Sequence, residues 1–250
     1  MRLRLAACLL LGAPLMACVT PPVPSAPIPV KLLPAPQPAN GRFLVVVLPG
    51  RGDDFDALTH TGMAEAVQKS WPQADVLLAG ASLGYYSDGK IAARLHVQII
   101  AAARERGYRE IWLTGASLGG TGALLYEYAY PHDVTGLVLY APFMGNPHVV
   151  KTVADAGGPA SWDPGPPSLD PGGGDFQKDL WRVVKFWQNP AEARRIWLVC
   201  GEDDGFIDAA RLMAPLLPAD HTVQLPGGHD WDVWDRGASL VFTRIAAMPR

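Results

Sequence analysis

The stretch Glu110-Ile111-Trp112-Leu113-Thr114-Gly115-Ala116-Ser117-Leu118-Gly119-Gly120-Thr121-Gly122-Ala123 passes without a break from a short apolar run, through a serine with a glycine two places to either side, into a run of small residues. A short apolar run bounded by glycine suits a buried strand, and the small residues beyond it suit a helix packed close to a sheet. Glycines before and after the serine permit a strained turn that lifts its hydroxyl clear of the strand end. The stretch is therefore expected to be strand, sharp turn and helix, with Ser117 at the apex. The same pentapeptide occurs earlier, as Gly80-Ala81-Ser82-Leu83-Gly84, but Tyr85-Tyr86-Ser87-Asp88-Gly89 follows it, which is turn chemistry with no immediate helix. Ser117 is the expected nucleophile and Ser82 a loop residue near the same sheet edge.

Outward from this stretch, apolar runs at 43–48, 75–79, 134–140, 196–200 and, more weakly, 222–225 alternate with helical patterns at about 58–70, 90–106, 118–129, 206–216 and 230–247. Strands alternating with helices predict an α/β fold, a mostly parallel sheet with helices on both faces and functional groups gathered at the carboxyl ends of its strands. The exception is 143–190, rich in Gly-Pro and Gly-Gly-Gly turns before a helix near 175–188. A segment this long without a strand predicts a cap or lid, and its aromatics Phe143, Trp162, Trp181 and Trp187 are the expected walls of an apolar acyl or aryl pocket.

A serine hydroxyl becomes nucleophilic only when a base takes its proton, and a carboxylate usually orients that base. Of the six histidines, His229 follows the last apolar run in Pro226-Gly227-Gly228-His229, whereas His60, His96, His132, His148 and His221 fall on helical patterns, connections or a strand start. The turn Gly201-Glu202-Asp203-Asp204-Gly205 follows the run at 196–200. Its spacing favours Asp204 as the acid, with Asp203 the alternative and Asp208 a more distant one. The expected catalytic order is Ser117, Asp204, His229.

With these residues in place, about 42–248 resembles the serine esterases of the α/β-hydrolase superfamily. The turn Leu48-Pro49-Gly50-Arg51-Gly52-Asp53 resembles the His-Gly-x-Gly turn of small carboxylesterases, with Pro49 in place of the histidine. The resemblance implies an oxyanion hole made by the backbone N–H groups of Arg51 and Leu118, while the side chains of Arg51 and Asp53 read as solvated turn charges. His229-Asp230-Trp231-Asp232-Val233-Trp234 is similar to the ends of feruloyl- and tributyrin-esterase-like proteins, and Trp231 and Trp234, three apart on a helix, read as core. The implied activity is hydrolysis of a small carboxylic ester or thioester through an acyl-enzyme. Amide hydrolysis or acyl transfer would use the same residues, and a non-catalytic ligand-binding protein is the alternative from another class. No cofactor or metal is expected: the chain has no dinucleotide fingerprint or phosphate loop, and His229-Asp230-x-Asp232 is a weak metal pattern.

The 250 residues carry 24 acidic against 21 basic side chains, a net charge of −3, with 49% hydrophobic and 18% charged residues. That balance excludes a disordered chain or a nucleic-acid coat. Residues 1–17 read as an export signal, with Arg2 and Arg4 before an apolar run too short to span a bilayer. Leu15-Met16-Ala17-Cys18 resembles a bacterial lipobox, which implies a lipid anchor on Cys18 and a cell-envelope location, with Val19 favouring the outer membrane, facing the periplasm. Residues 18–41 then read as a stiff proline-rich tether and 42–250 as the hydrolase domain. Of the three cysteines, Cys8 would leave with the signal and Cys18 would be acylated, leaving Cys200 as a small buried hydrophobe.

Overall fold

A computed structural model describes residues 21–39, 42–167, 169–170 and 172–249. The signal sequence and Cys18 lie outside the described residues. The apolar runs form β2 (Phe43–Leu48), β3 (Ala74–Ala79), β4 (Glu110–Ala116), β5 (Gly136–Tyr140), β6 (Ile196–Gly201) and β7 (Thr222–Leu225), and a further strand, β1 (Val30–Leu33), precedes them. They make one seven-stranded sheet in the order β1-β3-β2-β4-β5-β6-β7, parallel throughout except for β1, which runs antiparallel on β3.

Two apolar layers follow from the two-residue alternation of the strands. Leu44, Val46, Leu48, Ile111, Leu113, Leu137, Leu139 and Leu198 point to one face. There they meet α3 (Ile91–Leu95) and α4 (Ala101–Glu105), joined by a π turn, together with α5 (Leu118–Ala129) and α7 (Phe176–Phe186). Val45, Val47, Trp112, Val138, Trp197 and Val199 point to the other face, against α2 (Met63–Ser70) and α10 (Trp231–Ala246). Burial of each such Leu, Ile or Val side chain contributes roughly 1.5–3 kcal/mol, so the sheet is held by its covered faces more than by its edges. Cys200 lies in the first layer, and burial pushes its thiol up to about 12, which makes it a packing residue.

The structure corrects three expectations. The stretch read as a tether carries β1, with Ile28 and Ala35 buried beside it, so the folded body reaches back well before Arg42. The pattern at 58–70 is two helices, α1 (Phe55–Thr59), capped by the Asp54 carboxylate on Ala57 N, and α2, with Gly62 at its N-cap. The segment 143–190 contains α6 (Pro147–Asp155) as well as α7, and α7 is a full member of the first layer, through Leu180, Trp181, Val183 and Val184, rather than a detached lid. The remaining α-helices among the described residues are α8 (Pro190–Ala193) and α9 (Ile207–Met213). No helix among the described residues is long and apolar enough to cross a membrane.

The chain runs from β2 outward to β3 and then returns across β2 to β4. This reversal opens a crevice between the carboxyl ends of β2 and β4, where the Gly50–Asp53 turn and Ser117 sit side by side.

Candidate active site

Ser117 occupies the one-residue joint between β4 and α5, with φ 51° and ψ −110°. An L-residue holds such a conformation only when its surroundings enforce it. Here Ser117 N donates to Tyr140 O at 2.8 Å, Phe143 N donates to Ser117 O at 3.1 Å, and Thr121 Oγ1 donates to Phe143 O at 2.7 Å. The two glycines are needed for close approach. A Cβ on Gly115 would run into the Gly119 backbone, and one on Gly119 would lie 2.5 Å from Leu48 O. The other copy of the pentapeptide lacks the strain: Ser82 has φ −64° and ψ 169°, ordinary extended backbone, and leads into a short 3-10 turn, Leu83–Tyr86, while its glycines make their close approaches to Phe55 and to the proline-rich segment instead.

Asp204, 2% exposed, lies in the turn after β6, and His229 lies after β7. The carboxylate meets His229 Nδ1 with both oxygens, at 2.9 and 2.8 Å. A carboxylate only accepts, so Nδ1 carries the proton and the neutral ring keeps Nε2 as an acceptor. Phe206 N donates to Asp204 Oδ1 at 2.7 Å and holds the acid in place. The imidazole is wedged edge-on between Phe206, at 4.8 Å between centroids, and Trp234, at 4.9 Å. Asp203 is exposed, and Asp208 faces Arg211 at 3.3 Å, so neither alternative acid meets the histidine. Asp230 caps α10 on Val233 N and Asp232 pairs with Arg236, which takes both away from any site with His229. No hydrogen bond joins the Ser117 hydroxyl to His229 among the described residues; such bonds often tighten only with substrate in place.

Asp53 is no solvated charge. Its Oδ2 accepts from Gly50 N at 3.0 Å and from Trp231 Nε1 at 3.1 Å, clamping the β2 turn from below. Trp231 therefore braces that turn, while Trp234 is core. Arg51, in the clamped turn, and Leu118, the first residue of α5, both line the cavity at Ser117. A helix leaves its first N–H groups without intrahelical partners, so the Leu118 amide suits an oxyanion donor.

The cavity at Ser117 measures about 440 Å³, and its walls are mainly apolar: Tyr86, Ile91, Leu125, Phe143, Phe176 and Phe206. Phe143 is where the sequence places it. Trp181 and Trp187 are not in this cavity: Trp181 is fully buried with Nε1 donating to Met144 O at 2.9 Å, and Trp187 faces a separate depression. Phe176 and Phe206 do the work expected of them. Five residues along a helix turn Trp181 about 140° away from Phe176, and Trp187 lies roughly 16 Å from Phe176 along the axis. Phe206 was signalled only by its place two residues after Asp204. In the separate depression Glu127, His132 and Glu192 cluster, with Arg195 bonded to Glu127 at 2.7 Å and to Glu192 at 3.2 Å, so a guanidinium already supplies the cation.

No family model matches the chain, and no curated protein matches its sequence. Among solved structures, Est1E from Butyrivibrio proteoclasticus is 16% identical with a TM-score of 0.57, over 86% of this chain and 91% of that one. FphF, a fluorophosphonate-binding serine hydrolase of Staphylococcus aureus, is 12% identical with a TM-score of 0.56, over 89% and 100%. MPT51 of Mycobacterium tuberculosis is 16% identical with a TM-score of 0.60, over 93% and 98%. Likeness at such identities concerns the backbone, and together with the seven-stranded, mostly parallel sheet it establishes that the chain has the α/β-hydrolase fold.

Proposed function

We propose that this chain is a serine hydrolase that cleaves a small carboxylic ester or thioester with an apolar acyl or aryl group. The observation that carries the reading is a strained serine at a strand-to-helix joint, opening into an apolar cavity, with His229 held by the buried Asp204 carboxylate at the ends of two neighbouring strands. The Ser117 Oγ–H proton passes to His229 Nε2 as Oγ bonds to the acyl carbon. The resulting oxyanion is met by the N–H groups of Arg51 and Leu118, each worth roughly 3 kcal/mol of barrier in sites of this kind. Collapse breaks the bond to the leaving alcohol or thiol, which takes the proton from Nε2 and departs. Water then repeats the sequence on the acyl-enzyme, releasing the acid and restoring the serine. Asp204 keeps the imidazole in the tautomer that accepts at Nε2. Est1E, which shares the fold, has been solved with ferulic acid bound, an instance of an aryl acid on this scaffold.

The test is treatment of the full chain with a fluorophosphonate, followed by peptide mapping. An adduct on Ser117 that is lost in His229→Ala is the expected result; a folded protein that takes no adduct supports the binding-protein alternative, and an adduct on Ser82 moves the site to the other copy. For location, the lipobox supports an envelope protein held in the outer membrane through lipid on Cys18. Fatty-acid labelling that disappears in Cys18→Ser is the expected result, and a chain that never takes up label overturns the anchor.

A further inference from the structure

Residues 21–29, the described proline-rich segment before β1, are seated on the protein, and their contacts follow one track. Gly80 N donates to Pro29 O at 2.8 Å, Ile28 N donates to Gln98 Oε1 at 2.9 Å, Tyr85 Oη donates to Pro27 O at 3.0 Å, and Ser87 Oγ donates to Pro21 O at 2.9 Å. Between the last two, Pro22 O and Pro24 pass so close to Gly84 that a Cβ there would lie 3.0 Å from each. Prolines offer no N–H, yet their carbonyls are free to accept, and a polyproline segment has little conformational entropy to lose on docking. The platform is residues 80–87, the first Gly-Ala-Ser-Leu-Gly copy and the turn after it. The track ends with Pro21 in the wall of the cavity that holds Ser117.

We propose that residues 21–29 form a strap that closes one end of the acyl cavity at Pro21 and so limits the chain length accepted beside Ser117. This rests on the ester-hydrolase reading above. The Gly80–Gly84 pentapeptide is then a docking platform: its closing glycine makes room for the strap rather than for a strained serine.

The experiment compares rates of Ser117 modification by fluorophosphonates bearing butyl and decyl chains. Three full-length proteins are used: the unaltered chain, Gly84→Val, and the quadruple variant Pro21→Gly, Pro22→Ser, Val23→Gly, Pro24→Ser, with thermal melts to confirm folding. Gly84→Val pushes the strap away by sterics, and the quadruple variant replaces it with flexible chain. The expected result is a decyl-to-butyl rate ratio raised on the order of ten-fold in both variants. An unchanged ratio in the folded quadruple variant, with Ser117 still labelled, overturns the strap alone. Failure of both probes to label Ser117 in all three folded proteins overturns the ester-hydrolase reading, and the strap's role with it.

Discussion

The protein contains the same five residues twice, at Gly80–Gly84 after β3 and at Gly115–Gly119 after β4, and gives them different conformations. In the second, Ser117 sits at φ 51° and ψ −110°, and a twelve-residue helix begins at the next position. In the first, Ser82 sits at φ −64° and ψ 169°, and a four-residue 3-10 turn follows. Local sequence within the pentapeptide cannot explain this. Gly120-Thr121-Gly122 lets α5 start at once against the sheet, whereas Tyr85 and Tyr86 bring bulk that must be stowed, Tyr85 against the strap and Tyr86 beside the cavity. The strands differ as well. β4 lies between β2 and β5, so Tyr140 of β5 can accept from Ser117 N, while β3 lies between β1 and β2, and Gly80 is met instead by Pro29. A strained serine thus needs a helix ready to start and a neighbouring strand to hold it; the motif by itself supplies neither.

The largest expected effect breaks the comparison directly. Ser117→Ala should lower kcat/KM for a cleaved ester at least about a thousand-fold, whereas Ser82→Ala should leave it within about two-fold. Equal losses would mean that the two copies are functionally alike. Asp204→Asn should cost on the order of 10²- to 10⁴-fold in kcat with the fold intact, while Asp203→Asn should cost almost nothing, since of these two carboxylates Asp204 is the one bonded to His229.

Stability sharpens the same contrast. Gly119→Ala forces a Cβ against Leu48 O, which belongs to a central strand and cannot retreat, and should cost about 3 kcal/mol in denaturant unfolding. Gly84→Ala meets the strap, which can shift, and should cost about 1 kcal/mol. Comparable costs at the two glycines would show the strap to be as rigid as the sheet. A smaller effect is expected at the Gly50–Asp53 turn: Asp53→Ala frees Gly50 N and Trp231 Nε1 and should lower kcat about ten-fold with KM little changed.

A last effect serves as a scaffold control. Burial pushes the Asp235 carboxyl on α10 up to about 6, so the folded state holds a proton that the unfolded chain has released. Stability should therefore fall as pH rises from about 4 to about 6 and level off above that, and Asp235→Asn should flatten the melting-temperature profile over that range while leaving the Ser117 to Ser82 contrast untouched.

Much of the site was legible because each of its parts lies just after an apolar run. Runs at 43–48, 110–114, 196–200 and 222–225 fall where β2, β4, β6 and β7 form, and α5 runs over the 118–129 expected of it. In a parallel sheet, whatever follows such a run stands on one edge, so Arg51, Ser117, Asp204 and His229 were expected to converge before any contact was known. Helix breaks were less legible, because a short interruption such as His60-Thr61-Gly62 leaves the apolar period nearly intact.

The sequence by itself thus determined the α/β architecture and the residues gathered at the carboxyl edge, since strand period, helix period and turn chemistry are properties of neighbouring residues. Only the tertiary structure decided that Phe176 and Phe206 rather than Trp181 and Trp187 wall the cavity, that Asp53 clamps the Gly50–Asp53 turn through Trp231, and that residues 21–29 are bound. Each of these depends on a partner far away in the chain. Asp53 and Trp231 are 178 residues apart and Pro21 and Ser87 are 66 apart, distances over which local periodicity carries no information and close packing selects the partner.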